Sequence, residues 1–354
     1  MRRYLLPAVG LAVIAATFFW FLPKIADYRD VWAVLQDLSW PWAIALIAVS
    51  AVNLVTFAPP WQVALPGLRF WRALEVTQAS TALSIVVPGG AAAGAGVAWA
   101  MLRGWAFPRR EITRAIALVS LWNQFLNLFY PVVALSLLTA VGEDTALLTT
   151  AAFVGMVILV VVLTGFVLAL VNERLAHEVG EQAARVANWA RGKLRKGPVT
   201  WGGPSFERFR LGAGDLLKRR WHILTLVSLV GSLSVFVVLL VALRALGVPA
   251  SEVSATEAFA AWALMRLLAS VPITPGGLGV VEVGLTTALV AFGGNNAGVV
   301  AAVLVFRVLT MVPSIGYGLL AAATWRRHRP PAALEPVQLA ATSVGGGDRD
   351  VRSE

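Results

Sequence analysis

Three charged residues lie deep inside apolar stretches of the sequence. Arg266 and Arg307 are far from polar segments, and Glu282 is the one glutamate well inside an apolar run. A charge in the hydrocarbon core of a membrane is costly unless it is paired, so such residues are candidates for a functional site. Two arginines and one glutamate leave a positive balance if the three meet, which favours an anionic ligand such as a phosphate headgroup. The alternative is structural: an Arg–Glu pair that pins two helices together.

Glu282 follows a stretch that a regular helix would not cross. Residues 272–279 read PITPGGLG, and proline removes a backbone donor while glycine permits backbone angles that other residues avoid. At membrane depth, broken backbone is tolerated only where protein buries it or where it lines a wet cavity. Glu282 also suits the first turn of a returning helix, where a carboxylate complements the helix dipole. The candidate binding residues of this stretch are Pro275, Gly276, Gly277 and Gly279.

A similar break occurs earlier in the chain. Pro88, Gly89 and Gly90 lie in the middle of residues 75–101, which form an apolar stretch. These residues are too few for two full spans, each of which needs about 20 residues. The simplest solution is a re-entrant helical hairpin that enters the membrane and returns, with the PGG break as a second part of the site.

The next apolar run carries a polar cluster. Asn123, Gln124 and Asn127 are adjacent in it, and Asn123 and Asn127 are one helical turn apart, so they share a face. They can hydrogen-bond either a bound headgroup or a neighbouring helix. The sequence leaves both interpretations open, and all three are candidate binding residues.

Composition restricts the protein class. The 354 residues are 58% hydrophobic and 14% charged, and the mean hydropathy is +0.75, which indicates a polytopic membrane protein. The net charge of +10 points to cytoplasmic loops and anionic lipid, not to nucleic acid. With no cysteine, and with all three histidines in or beside polar segments, we predict no metal site and no cofactor.

The predicted fold is an all-α polytopic membrane protein with about six full transmembrane helices plus two re-entrant helical hairpins. Residues 255–292, with the second PGG at their centre, form the second hairpin. Eight transmembrane helices are the alternative. The predicted full spans are residues 5–22, 42–58, 115–140, 146–171, 223–246 and 298–324.

Basic residues set the orientation. Arginines flank both ends of residues 75–101, so the positive-inside rule places both ends in the cytoplasm, whereas residues 255–292 enter from the outside. The two units therefore form an inverted-topology repeat, in which Asn123 aligns near Arg307. Such repeats with broken helices are typical of secondary transporters whose site lies near the midplane.

The predicted organisation is a membrane domain over residues 1–329, in the cell membrane, with both termini cytoplasmic. Its first half ends near residue 171 and its second half begins near 221. The linker between them, residues 172–220, has a strong excess of Lys and Arg. It contains either a basic amphipathic helix on the inner leaflet or a solvated linker with some helix. Residues 330–354 are rich in Pro, Gly and charge and are predicted to be disordered.

The PGGLG sequence with Glu282, followed by an apolar run and an arginine in the last span, resembles a known family. It is similar to the flippase-like membrane region of the lysylphosphatidylglycerol synthases (the multiple-peptide-resistance-factor proteins) and their stand-alone relatives. The resemblance covers most of residues 1–325. The family often has arginine just before the glutamate, where this chain has Val281. The resemblance implies movement of anionic or aminoacylated lipids between leaflets.

Three functions are compared on these residues. The leading hypothesis is a lipid translocase that binds an anionic, aminoacylated or polyprenyl-phosphate headgroup between the hairpins. A solute or ion transporter of the same architecture is the second. A membrane enzyme is the third, but it usually needs paired carboxylates, a metal or an activated nucleophile, and the sequence has one deep carboxylate. We therefore predict no enzyme activity, and membrane phospholipids as partners; the oligomeric state stays open.

Overall fold

The computed structural model describes residues 28–86, 90–140, 146–193, 197–199, 202–269 and 274–325, and these are helical with no strand among them. The helices are α1 (Tyr28–Gln36), α2 (Trp40–Thr56), α3 (Pro59–Ala64), α4 (Phe70–Val86), α5 (Gly90–Gly104), α6 (Arg109–Ala140), α7 (Ala146–Val171), α8 (Glu173–Lys193), α9 (Gly203–Ala245), α10 (Ala255–Ala269), α11 (Val280–Ala291) and α12 (Asn296–Thr324).

Five stretches of the described chain are long and apolar enough to cross a membrane. They are Trp40–Ala64, Arg109–Ala140, Phe153–Val171, Leu217–Ala245 and Asn296–Thr324. Each overlaps one predicted span, and the sixth, residues 5–22, lies outside the described residues. The protein is therefore a multi-pass, all-α membrane protein, as predicted.

Three boundaries differ from the prediction. Pro59 and Pro60 were expected to end a span, but they begin α3, because proline is tolerated in the first turn of a helix. The segment between the first two predicted spans, for which no helix was predicted, contains α1. The second part of the linker is not a loop either, since α9 begins at Gly203. Its buried face, which includes Ala213 and Leu217, continues into the apolar span.

The first part of the linker is the helix α8, which both interpretations of the linker allow. It packs on α9. His177 and Glu207 join the two helices through a 2.7 Å contact between Nδ1 and Oε1. The linker is therefore a pair of packed helices that extends the membrane domain.

Each predicted hairpin is a pair of packed helices separated by its PGG break. In the first pair, a Cβ on Gly90 would overlap the Ser84 carbonyl, and a Cβ on Gly94 would overlap the Ser84 hydroxyl. In the second pair, a Cβ on Gly284 would overlap the sulfur of Met265. The arms approach this closely because glycine stands at the contact. Whether the tips end inside the membrane stays a prediction.

We call the two helices of each hairpin its arms. The first arm of each hairpin, α4 or α10, packs on the long helix of the other half of the chain. α4 lies against α12, so closely that a Cβ on Gly318 would overlap the Gln78 carbonyl. In the same way, α10 lies against α6. The two halves thus exchange arms, and the candidate residues of one half face elements of the other.

Candidate functional site

Glu282 and Arg307 form a buried ion pair. Arg307 Nε donates to Glu282 Oε1 at 2.7 Å, and the Glu282 side chain is 1% exposed. The second carboxylate oxygen, Oε2, accepts the Gly279 backbone N–H at 2.6 Å, which caps the start of α11. Both oxygens of Glu282 thus have partners, and the pair fastens the second hairpin to α12.

The backbone of the second PGG break is shaped by three glycines. Gly276, Gly277 and Gly279 have φ values of 61°, 67° and 85°, in the left-handed region that favours glycine. The Gly276 carbonyl accepts a hydrogen bond from Arg307 Nη2 at 2.8 Å. The Pro275–Gly277 turn also packs on α4, where Gly276 lies next to Ile85. Arg307 therefore holds the tip of the hairpin as well as its returning helix.

Arg266 does not join this pair, contrary to the hypothesis that all three charges meet. Its Nε donates to Asn127 Oδ1 at 2.8 Å, and its Nη2 donates to Asn123 Oδ1 at 2.9 Å. Nη2 also reaches Ser232 Oγ on α9 at 3.2 Å. The physical reason is the exchange of arms, since α10 lies on α6 and turns Arg266 toward the amides there.

The charge of Arg266 is not neutralised within the described residues. Its oxygen partners are amides and a hydroxyl, and no carboxylate lies within 4.0 Å of it. The rings of Trp262 and Tyr130 lie 5.5 and 5.8 Å from its Cζ, which adds cation–π attraction. These partners hold the guanidinium in place but leave its full positive charge in the membrane domain.

A polar cavity of about 320 Å³ lies beside Arg266. α3, α4, α5, α6 and α9 enclose it, and Asn123 and Ser232, both of which accept hydrogen bonds from Arg266, are in its wall. Its lining contains no carboxylate and no lysine. Thr81, Ser84, Ser120 and Ser228 also line it. The cavity thus has several hydroxyl-bearing side chains in its wall, and Arg266 reaches that wall through its hydrogen bonds to Asn123 and Ser232.

A comparison with protein-family models matches residues 8–318 to the family described as "Lysylphosphatidylglycerol synthase TM region". The match covers most of the chain. The protein belongs to this family. A search of curated proteins finds no match. In this lysylphosphatidylglycerol synthase TM-region protein, Val281, next to Glu282 in sequence, is buried, and Arg307 is the cation that pairs with Glu282 among the described residues.

The other predicted site residues differ in where the structure places them: one lines another groove, one serves helix packing, and two lie outside the described residues. Gln124 points away from the cavity: its Oε1 accepts from Asn127 Nδ2 at 3.0 Å, and it lines a separate apolar groove. Gly90 serves the close contact of the first hairpin arms. Pro88 and Gly89 lie outside the described residues.

Sequence analysis of this family member missed the hydroxyl lining. Thr77, Ser80, Thr81 and Ser84 follow a 3-and-4-residue spacing along α4 and all line the cavity. That spacing places them on one helical face. A polar stripe on a helix in a membrane protein was therefore the available signal, and Ser228 and Ser232, four residues apart on α9, gave the same signal on a second helix.

Proposed function

We propose that the protein moves an anionic phospholipid between the two leaflets of the cell membrane. The phosphate would bind at Arg266 and the headgroup hydroxyls would bind the serine and threonine side chains of the cavity. The single observation that carries this proposal is the charge of Arg266, which no described carboxylate neutralises and which hydrogen-bonds two residues in the wall of the cavity, Asn123 and Ser232. Membership of the family supports a role with membrane lipids.

The geometry of the cavity favours a lipid headgroup in particular. An uncompensated arginine in a low-dielectric region attracts a phosphate strongly, and its planar guanidinium suits bidentate contact. Midspan residues Ser120 and Asn123 are solvent-accessible in the protein, and polar groups in such places usually face a wet cavity and not lipid tails. No covalent step is part of the proposal, so we propose transport without enzyme activity.

The hairpins supply the moving parts in this proposal. α4 has 17 residues and α11 has 12, which corresponds to about 26 and 18 Å of helix. Both are shorter than the hydrocarbon core of about 30 Å. These lengths support re-entrant hairpins whose tips end inside the membrane. The exchange of arms supports an inverted repeat in which the halves rock about the cavity to give alternating access.

The test measures lipid movement in proteoliposomes. Fluorescent phosphatidylglycerol and phosphatidylcholine are compared, and the fraction protected from a membrane-impermeant quencher is followed over time. We expect Arg266→Gln to slow phosphatidylglycerol movement by about 10- to 100-fold, because a charge-assisted contact is lost. Arg266→Lys should retain part of the rate.

Arg110→Gln is the matched control, since Arg110 is an exposed residue at the start of α6. It should move phosphatidylglycerol at the wild-type rate. Wild-type rates in Arg266→Gln would refute the site. An equal loss for both lipids, which share the phosphate group, together with a lowered thermal midpoint would show that Arg266 only supports the structure.

A further inference from the structure

A second hollow lies on the other side of α6 from the polar cavity. It is an apolar groove of about 850 Å³ between α6, α7, α8 and the first turns of α9. We call it the lateral groove. Its walls are almost entirely apolar, with Leu121, Phe125, Val162 and Phe166 among the lining side chains. Its one charged lining residue, Arg210, lies at the end where α6 contributes Thr113 and α9 begins.

The lateral groove has the length of one leaflet. Along α6 it extends from Thr113 to Phe125, which is about 18 Å of helix. Half of a hydrocarbon core of about 30 Å is about 15 Å. The groove therefore matches the acyl chain of a single lipid and not a bilayer-spanning ligand.

The polar end of the lateral groove is basic. Arg210 lines it, and its Nη2 donates to Glu173 at 3.0 Å, but its Nε is buried and has no hydrogen-bond partner within the described residues. Arg114 lies beside it on α6, with Nη1 on the Gly212 carbonyl and an Nε that is equally buried and without a partner there. Arg210 and Arg114 thus bring two guanidinium groups to this end, and Glu173, the carboxylate that pairs with Arg210, is 70% exposed.

We propose that the lateral groove binds one anionic phospholipid, with its phosphate at Arg210 and its acyl chain along α6 and α7. The positive-inside rule assigns this end to the cytoplasmic side, so the lipid belongs to the cytoplasmic leaflet. The site is distinct from the headgroup cavity, because the two hollows lie along different faces of α6 and share only Ser120 among their lining residues. It binds a lipid whether or not that lipid is ever moved.

Gly165 gives a way to fill the groove without disturbing the protein. It lines the lateral groove, and no heavy atom lies within 4 Å of the position its Cβ would take. Gly316 is equally open but lies on α12, away from the groove. Gly165→Leu and Gly316→Leu are therefore a matched pair. Arg210→Gln is matched by Arg220→Gln, an exposed arginine on the same helix.

The experiment counts bound phosphatidylglycerol by native mass spectrometry of the purified protein, with phosphatidylcholine and inorganic phosphate as separate arms. Arg210→Gln should weaken binding of one phosphatidylglycerol by about tenfold, with little effect on phosphatidylcholine. Gly165→Leu should remove one bound lipid of either kind. Arg220→Gln, Gly316→Leu and Arg266→Gln should all retain this lipid.

The proposal would be overturned if the Arg210→Gln and Gly165→Leu variants retained as much bound phosphatidylglycerol as their controls. It would also be overturned if Arg210→Gln lost binding of inorganic phosphate while Gly165→Leu kept the same number of bound lipids, since that result describes an inorganic anion site. Matching thermal midpoints for all variants establish that none has simply unfolded. The Arg266→Gln arm separates this site from the transport site, since each can fail alone.

Discussion

Arg307 and Arg266 are the same residue type within apolar helices, but their partners give them different roles. Arg307 contacts a carboxylate and a carbonyl, Glu282 and Gly276. Arg266 contacts amide and hydroxyl oxygens. A neutralised arginine holds helices together, whereas an arginine that keeps its charge can attract an anion. The two arginines therefore differ because Arg307 has the carboxylate of Glu282 as a partner and Arg266 has none among the described residues.

The ion pair should therefore affect stability more than substrate preference. Glu282→Gln leaves the guanidinium of Arg307 buried without its counter-charge, which typically costs about 3–5 kcal/mol. We expect a lower thermal midpoint, measured by tryptophan fluorescence, and a partial recovery in the Glu282→Gln/Arg307→Gln double variant. Glu178→Gln, at an exposed position on α8, is the control. A double variant less stable than both single variants would contradict a simple pair.

At the scale of elements, glycine determines how closely the exchanged arms approach. Gly318 on α12 has no space for a Cβ because the Gln78 carbonyl of α4 is there. Gly316, two residues earlier on the same helix, faces open space. The same residue type therefore serves packing at one position and only weakens the helix at the other.

Alanine at these two positions should change stability in opposite directions. Gly318→Ala forces α12 away from α4, and overpacking of this kind costs about 1–3 kcal/mol. Gly316→Ala should stabilise by about 0.5–1 kcal/mol, because glycine inside a helix is unfavourable relative to alanine. Thermal midpoints of the two purified variants check the signs. Equal shifts would mean that α4 and α12 are not in close contact.

Local chemistry explains which elements the sequence could predict. Apolar runs predicted the five spans that the structure describes, and the PGG turns predicted the helix breaks, because proline and glycine act within a few residues. The continuation of α9 through the linker was missed, since charged residues on its exposed side hid a buried apolar face. The partners of Arg266 were missed because Asn127 lies 139 residues away in sequence, and only the tertiary contact of α10 with α6 brings them together.

At the scale of the whole molecule, the proposed inverted topology has a direct test. The chain contains no cysteine, so single cysteines can be labelled without background. Cysteines at Arg69 and Arg103, which flank the first hairpin, should react with an impermeant maleimide only after cells are permeabilised. Cysteines at Ser251 and Asn296, which flank the second, should react in intact cells. All four positions are exposed, and labelling of all four from one side would exclude inverted topology.

The exchange of arms also bears on how the protein is made. α4 leaves the ribosome early, but α12, on which it packs, is synthesised last. At 5–20 residues per second, the roughly 240 residues between the ends of the two helices take about 10–50 s to translate. During that time the face of α4 that carries Gln78 has no final partner in the membrane. Chains in which α12 has not yet been made should therefore be the form of this protein that quality-control proteases degrade. Biogenesis then depends on protecting α4 until α12 is made.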